Sequence, residues 1–390
     1  MAIADDSRRR PLAAFLRTEA GSASLLLAAA LVALAWANLA PAGSYAELWT
    51  ARRVLRIGGV AFPWYPRAAV NDGLMTLFFL VVGLEIRREL TRGELRDRRA
   101  AMLPAIAALG GMLVPALLYL AVNGGTDARH GWGIPVATDI AFALGVLAVA
   151  APRAPQGLRA FLLTLAIADD IGAIVLIALV YTGGVDLGAL AIAGASALAI
   201  ASAPRIGLRP PWVLGALGVV LWAATFASGV HATIAGVAFA FLLPVDTASS
   251  ALERLEAALH PWTSRVVVPV FALANAGVRV VDADAGALLR DPVVLGVVAG
   301  LVVGKFLGIS GATAIALRAG LGRLPDGVTP RDVPAVAAVA GIGFTVSLFI
   351  AELAFPEGFG ADAARVGILL ASLLAGLVGA ALLRRVPVRG

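Results

Sequence analysis

The sequence has 390 residues, of which 60% are hydrophobic and 14% are charged, and its formal net charge at pH 7 is +6. Globular proteins average roughly 45–50% apolar and 25% charged residues, so this composition excludes an ordinary soluble fold and indicates a polytopic membrane protein. The positive charges lie in short gaps between apolar runs, a pattern of membrane topology that argues against a nucleic acid partner. Cysteine is absent, which excludes disulfides and thiolate metal sites.

The apolar runs predict about twelve membrane helices joined by brief connections. The first run is longer than the roughly 7–15 apolar residues of a cleaved signal peptide, so we expect it to be retained as a span. Because no long linker separates the runs, we expect one membrane domain over residues 1–390. The predicted spans are residues 21–40, 70–86, 101–122, 133–151, 158–181, 187–203, 211–226, 228–244, 263–280, 292–318, 331–354 and 363–384.

The placement of arginine predicts the orientation of these spans. With the N-terminus inside, 22 of the 30 arginines fall in cytoplasmic segments and 8 in outer segments. Membrane proteins keep an excess of Lys and Arg on the cytoplasmic side. The distribution therefore supports twelve spans with both termini in the cytoplasm.

Two segments outside the spans have patterns of their own. Residues 51–67 place β-branched residues around Gly58 and Gly59, which predicts a hairpin on the outer face. Because a lone hairpin is marginally stable in water, we expect a partner such as a second copy of the chain, which would form a homodimer. Residues 246–262 are amphipathic and begin with an Asp-Thr cap signal, which predicts a helix at the cytoplasmic interface.

Four ionisable side chains lie in the middle of predicted spans: Asp139, Asp169, Asp170 and Lys305. Such a residue costs about 3 kcal/mol on insertion scales, so each predicts a functional site. The alternatives are a structural ion pair or a misplaced span boundary. Asp169 and Asp170 lie about eleven residues from either end of their run, which argues against a boundary error.

Asp169 and Asp170 are neighbours, and neighbouring residues on an α-helix diverge by roughly 100°. The two carboxylates must therefore face different surroundings. One can coordinate an ion while the other contacts a nearby helix, which small residues such as Ala166 and Gly172 allow to approach. Asp139 is then the natural third carboxylate.

Lys305 is exceptional because every other basic residue apart from histidine is arginine. Arginine does not release its proton in proteins, whereas a buried lysine can, so this choice indicates a group whose charge changes. Chance use of a single lysine is the alternative. Glycines at every fourth position predict that its helix packs tightly on a partner. They are Gly296, Gly300, Gly304 and Gly308.

Helix-breaking residues predict interruptions in the fourth and eleventh spans. In the fourth span they precede Thr138 and Asp139, and in the eleventh they lie in the middle. Paired broken helices expose half-helix termini whose partial charges form ion sites. Asp139 could offset positive N-termini there, and Lys305 could offset negative C-termini. The breaking residues are Gly131, Gly133, Pro135, Gly341 and Gly343.

Several segments resemble the NhaA-type sodium/proton antiporters, and the resemblance covers nearly the whole chain. They include NDGLMTLFFLVVGLEIRREL, VATDIAFALGVLA, LAIADDIGAIVLIALVYT and GKFLGISG. The resemblance implies an all-α polytopic membrane protein with inverted repeats and two discontinuous, crossing helices. It also implies a secondary transporter of the bacterial inner membrane, rather than an enzyme, that exchanges cytoplasmic Na⁺ or Li⁺ electrogenically for external protons. Such a protein serves pH and sodium homeostasis and needs no cofactor.

The same resemblance assigns roles to individual residues. Asp169 and Asp170 would form the shared proton site and the transient Na⁺ site, with Lys305 paired to Asp169. Thr138 and Asp139 would lie where the broken helices cross. A cytoplasmic pH-sensing funnel would contain Glu85, Arg88, Glu89, Arg254, Glu256 and His260.

Two positions depart from the family pattern. Glu253 replaces a basic residue, and Ala257 stands where the best-known relative has histidine, so the pH dependence of this protein is open. Without the resemblance, Glu85, Arg88 and Glu89 could equally form a solvated helix end. His231 has the pattern of a packing histidine rather than an ion ligand.

The residues alone leave other functional classes open. An intramembrane aspartyl protease also uses two carboxylates, which Asp139 and Asp170 could supply, although no Gly-x-Gly-Asp signal is present. A retinal pump would use the buried Lys305 as a Schiff base, but twelve spans and an Asp pair fit such a pump poorly. A passive channel would be distinguished from an antiporter by reversing the pH gradient.

Overall fold

The computed structural model describes residues 19–51, 53–57, 60–96, 98–203, 210–243, 250–281, 284–355 and 359–387. The described chain is almost entirely helical, which confirms the predicted all-α polytopic class. Its described residues form two compact units. Unit 1 comprises the described residues within Met1–Asn38, Glu94–Ala173 and Asn275–Gly390. Unit 2 comprises those within Leu39–Gly93 and Ile174–Ala274. The organisation as one membrane domain stays a prediction.

Sixteen helices follow one another along the described residues. They are α1 Glu19–Leu39, α2 Ser44–Thr50, α3 Pro66–Thr91, α4 Arg98–Asn123, α5 Ile140–Ala150, α6 Gln156–Val180, α7 Leu187–Ser202, α8 Pro211–Ala227, α9 Ala232–Leu242, α10 Ser250–Trp262, α11 Val268–Asn275, α12 Ala285–Leu289, α13 Pro292–Arg318, α14 Val333–Val339, α15 Phe344–Ala354 and α16 Phe359–Leu383. Short 3₁₀ helices at Glu94–Arg96 and Asp127–Val136 precede α4 and α5.

Six described helices are long and apolar enough to cross a bilayer, namely α1, α3, α4, α6, α13 and α16. Two bent pairs raise this number to eight: Asp127–Val136 with α5, bent by 47°, and α14 with α15, bent by 48°. The apolar helices α7, α8 and α9 have 10–17 residues. At about 1.5 Å per residue they fall short of a hydrocarbon core about 30 Å thick. The number of twelve spans and their orientation therefore stay predictions.

In unit 1, α13 packs along α4 through its glycine stripe. A Cβ atom added at Gly304 would lie 2.7 Å from Cα of Pro115, and one at Gly308 would lie even closer to the carbonyl oxygen of Gly110. Only glycine permits backbones to approach this closely. The tight packing predicted from the stripe is thus present. A π-helical segment, Ala299–Gly304, ends directly before Lys305, and such segments are frequent at functional sites.

Unit 2 has its own apolar core, formed where α3, α7, α8 and α9 pack together. Leu80 and Leu84 of α3 meet Ile200, Leu221 and Ala235 there. Between membrane helices such contacts stabilise through close van der Waals packing, because lipid tails are as apolar as these side chains.

Unit 2 also contains His231, whose Nε2 lies 2.6 Å from the carbonyl oxygen of Tyr181. This hydrogen bond fits the packing role expected for the histidine.

The segment predicted as a hairpin contains two antiparallel strands, β1 Arg53–Ile57 and β2 Val60–Trp64. Their predicted turn at Gly58 and Gly59 lies outside the described residues.

The segment predicted as an interfacial helix contains α10, and its Asp-Thr cap signal likewise lies outside the described residues. The dimer contact and the interfacial position of α10 stay predictions.

Candidate ion-binding site

Two helix breaks contact each other in unit 1. One precedes α5 and the other separates α14 from α15. The backbone N–H of Asp139 donates to the carbonyl oxygen of Ile342 at 2.6 Å, and the hydroxyl of Thr138 lies 2.8 Å from the carbonyl oxygen of Ala340. The interruptions predicted from glycine and proline are therefore present, and they meet at buried residues.

The carboxylate of Asp139 caps two helices at once. Its Oδ1 accepts from the N–H of Phe142 at 3.0 Å in the first turn of α5. Its Oδ2 accepts from the N–H of Thr345 at 3.0 Å, and from the hydroxyl of the same residue, at the start of α15. Helix N-termini carry unsatisfied donors and partial positive charge, so one carboxylate stabilises both ends. This contact matches the predicted charge offset at Asp139.

Asp169 and Lys305 form a fully buried ion pair. Nζ of Lys305, on α13, contacts Oδ2 of Asp169, on α6, and both side chains are 0% exposed. We expected Lys305 to offset the partial negative charge of helix C-termini. In the structure its ammonium instead pairs directly with the carboxylate of Asp169. The other oxygen of Asp169, Oδ1, is buried and has no hydrogen-bond partner among the described residues. A buried carboxylate oxygen without a donor is costly, and it provides a ligand atom for a cation.

Thr138 connects this ion pair to the helix breaks. Its Oγ1 lies 2.7 Å from Oδ2 of Asp169 and 2.8 Å from the carbonyl oxygen of Ala340. A hydroxyl has one hydrogen to donate, so Thr138 cannot donate to both oxygens while Asp169 is ionised. A protonated Asp169 would instead donate to Thr138 and free the hydroxyl hydrogen for Ala340. The hydrogen bonds at the break therefore depend on the proton at Asp169.

Asp170 follows Asp169 on α6 and is 5% exposed. Gly172, two residues further along, faces Sδ of Met112 on α4, as expected for close helix approach at this part of α6. Among the described residues, no group of three or more His, Asp or Glu side chains could hold a metal ion. Asp139, Asp169 and Asp170 therefore do not form such a group in this structure. Both oxygens of Asp139 accept hydrogen bonds from helix termini instead.

Sequence reasoning missed two side chains at the site. Thr345 donates to Asp139, and the hydroxyl of Ser347 donates to the carbonyl oxygen of Ile134 at 2.7 Å. Both are buried, and both follow the glycines that break the eleventh predicted span. Both could have been found from the sequence, because they follow a break in an apolar run and hydroxyl side chains commonly cap helix ends at such breaks.

Known proteins are similar in sequence to this chain over most of its length. A sequence model of the family Na+/H+ antiporter 1 matches residues 13–383. The chain belongs to the Na+/H+ antiporter 1 family. Na(+)/H(+) antiporter NhaA 3 of Frankia alni is 45% identical, with 95% of this chain and 87% of the relative aligned. The NhaA proteins of Serratia proteamaculans and Aeromonas hydrophila are 45% and 46% identical, each over 95% of this chain and over 96% and 94% of the relative.

The funnel residues expected for an antiporter of this family lie in unit 2. Nη1 of Arg88, on α3, forms an ion pair with Oε1 of Glu256, on α10, and Nη2 of Arg88 lies 3.5 Å from Oε1 of Glu89. Glu85 interacts electrostatically with these three residues. Arg254 is also on α10, where its side chain is exposed, as is that of His260.

Burial raises the pKa of Glu256 above the ordinary value of a glutamate. Arg88 acts in the opposite direction and lowers this pKa, whereas Glu253 and Glu89 raise it further. Glu256 is thus a buried acid among charges of both signs, a setting in which protonation is sensitive to small changes.

Glu253, which departs from the family pattern, forms an ion pair. Its Oε1 lies 3.0 Å from Nη1 of Arg92 at the end of α3, and both side chains are about half exposed. Exposed ion pairs contribute little to stability. The sequence did not indicate this pairing, because the two residues are 161 positions apart in the chain. Ala257, the second departure, is exposed on α10.

Proposed function

We propose that this chain exchanges Na⁺ for protons across a bacterial membrane. Its family and the names of its relatives support sodium/proton antiport. The observation that carries the proposal is the buried Asp169, whose Oδ2 contacts Lys305 while its Oδ1 is without a hydrogen bond among the described residues. A metal cation and the lysine ammonium can compete for this one carboxylate.

Sodium is a hard cation that prefers oxygen ligands, by analogy with other hard cations. In our proposal it binds carboxylate oxygens of Asp169 and Asp170 with help from the hydroxyl of Thr138. Its approach displaces the ammonium of Lys305, which then has no counter-charge and releases a proton, because an unpaired buried charge is disfavoured. Competition for shared charges is enough to couple the two ion flows in opposite directions.

The exchange is electrogenic in this scheme. One proton leaves Lys305 and a second leaves Asp170 when one Na⁺ arrives, so the site with sodium carries one positive charge fewer than the protonated site. Alternation between the two occupancies then moves net charge across the membrane. Lithium has the same charge and ligand preference, so we include it as a second substrate.

We assign a positioning role to Asp139 in this mechanism. Both of its oxygens accept hydrogen bonds from helix N-termini, so it holds the breaks in place beside the ion site. Thr138 couples Asp169 to those breaks, because its single hydroxyl hydrogen can be donated either to the Asp169 carboxylate or to the carbonyl oxygen of Ala340.

The finer features of the family are also part of the proposal. We place the protein in the inner membrane with both termini in the cytoplasm, on the basis of its arginine distribution. We propose that residues 51–67 join two copies into a homodimer and that the charged cluster around Glu256 adjusts activity with pH.

The proposal is tested with purified protein in vesicles that carry a pH-sensitive dye and an imposed pH gradient. Addition of NaCl should dissipate the gradient with the wild-type chain, and Asp170→Asn should abolish this response. Asp284→Asn is the matched control, because Asp284 is an exposed acid in a connecting segment. Full exchange by the Asp170→Asn variant would overturn the proposed site, and Na⁺ flow without counter-flow of protons would indicate a channel.

A further inference from the structure

A cavity of about 570 Å³ lies in unit 1, away from the residues of the ion site. Its wall is formed by the first turns of α4, the early turns of α6 and the loop after α13. All three helices are candidate spans, and the cavity lies where α4 and α6 begin and where α13 ends. Ends of spans lie at the level of the lipid headgroups. The cavity is therefore accessible to molecules at the membrane surface.

Thr164 on α6 is a polar residue in the wall of this cavity. The residue is only 4% exposed, and no described residue forms a hydrogen bond with its hydroxyl. Its hydroxyl oxygen is not among the fully buried atoms that have no partner, so it faces the space of the cavity. There it can form a hydrogen bond with a molecule that the cavity holds.

Arg323 supplies a positive charge at the same cavity. Its side chain is exposed, and it forms no ion pair with a described acidic residue. The loop that carries it is shaped by Gly322, whose φ of +106° lies in the left-handed region. A Cβ atom at Gly322 would lie 2.9 Å from Cβ of Leu103 on α4, so glycine is required for the loop to lie against α4.

The polar groups of the cavity are mainly donors. Arg323 offers the planar guanidinium that binds phosphate with two parallel hydrogen bonds. The first turn of α4 adds backbone N–H groups that have no acceptor within the helix. The lining contains no Asp or Glu, and Met102, Pro104 and Phe161 give it an apolar side. A volume of this size accommodates a phosphate together with an organic body.

We propose that this cavity binds a phosphate ester. The phosphoryl oxygens accept from Arg323 and Thr164, and the body of the ester packs against Met102, which is 37% exposed. The ester can come from two sources, which are the headgroup of an anionic phospholipid in the surrounding membrane and a small soluble ester. Because Thr164 lies five residues before Asp169 on α6, the occupant stabilises the helix that carries the ion site.

The test measures thermal unfolding of the purified full chain in detergent, with three probes. They are phosphatidylglycerol, glycerol 3-phosphate and diacylglycerol, which lacks the phosphate. The proposal expects the first probe, or the first two, to raise the unfolding temperature and the third to have no effect. Stabilisation by phosphatidylglycerol alone assigns the site to a lipid, and stabilisation by both phosphate compounds shows that the phosphoryl headgroup suffices.

Variants locate the binding in the cavity. Arg323→Gln should weaken the apparent affinity by roughly tenfold, the size of one lost charge-assisted hydrogen bond. Thr164→Val should weaken it by a smaller factor, and Ala160→Leu, which fills the cavity, should abolish it. Arg290→Gln is the matched control, because Arg290 is an exposed arginine next to the other end of α13. The proposal is overturned if no phosphate compound stabilises the chain, or if Arg323→Gln and Ala160→Leu respond like the wild type.

Discussion

Lys305 and Asp169 are joined by an ion pair in which neither side chain is exposed to solvent. Removing one partner of such a pair typically costs about 3–5 kcal/mol, because a charge is left buried and uncompensated. The pair is therefore maintained only while both groups are charged. Any step that neutralises one of them also releases the other.

Lys305→Arg separates the charge of Lys305 from its ability to lose a proton. Arginine keeps the positive charge but does not deprotonate in proteins. We expect Na⁺-driven proton movement in vesicles to fall by on the order of tenfold or more at every pH. Arg290→Lys, an exchange in the other direction at an exposed site, should leave the activity unchanged. Full turnover of Lys305→Arg at all pH values would reduce the ion pair to a structural role.

Asp169→Asn leaves the ammonium of Lys305 without its counter-charge. We expect reduced stability, by about 3–5 kcal/mol if Lys305 stays charged, and some residual transport with an altered charge per cycle. Current recorded on a solid-supported membrane measures that charge. The double variant with Lys305→Gln should recover part of the lost stability, because both charges are then absent. An unchanged current in the single variant would contradict the role of Asp169 in charge movement.

Thr345→Val tests the shared cap at the helix breaks. Valine has nearly the same shape but removes the hydroxyl that donates to the buried Asp139. We expect a loss of about 1–3 kcal/mol in the free energy of unfolding, measured as a lower unfolding temperature. Thr50→Val is the control, because the Thr50 hydroxyl is exposed and donates only within its own helix. Equal behaviour of the two variants would show that the cap at Asp139 adds nothing.

Glu256→Gln tests the raised pKa of that carboxyl. Because the pKa is higher in the folded chain than the ordinary 4.5 of a glutamate, the folded state holds this proton more strongly than the unfolded state. The contribution to stability is then fully present below the ordinary pKa and is lost as the pH rises through the folded pKa. The unfolding temperature of the wild type, relative to Glu256→Gln, should therefore fall with rising pH.

Glu47→Gln gives the matched control for this measurement, because Glu47 is an exposed glutamate on α2 of the same unit and is not among the charges that shift the pKa of Glu256. If the Glu256 difference reflects its own raised pKa, the control should not reproduce it. Its difference from the wild type should change little over the same range. A wild-type advantage over Glu256→Gln that grows with pH would contradict the raised pKa.

The sequence reveals the ionisable residues of the site because each is costly inside an apolar run. Asp169, Asp170 and Lys305 are recognised on that ground alone, and the helix breaks follow from glycine and proline. The cap at Asp139 is different, since its partner Thr345 lies 206 residues away in the chain. No spacing rule connects positions so far apart. The pairing of Arg92 with Glu253 is missed for the same reason, with 161 residues between them.

A count of apolar runs gives twelve spans, whereas six described helices and two bent pairs are long enough to cross a bilayer, so the number of spans stays a prediction. Apolar composition identifies α7, α8 and α9 as membrane segments, but it does not fix where each helix ends. Ends depend on caps and turns, such as the cap of Asp186 on the N–H of Ala189 at 2.8 Å. These local hydrogen bonds determine helix length.

The double cap at Asp139 makes α5 and α15 depend on one another during local opening. The amide hydrogens of Phe142 and Thr345 are both held by this carboxylate. Fraying of either helix end deprives the carboxylate of donors and weakens its hold on the other. The two amides should therefore exchange with deuterium in a single cooperative event and at a common rate, although they belong to opposite halves of the sequence.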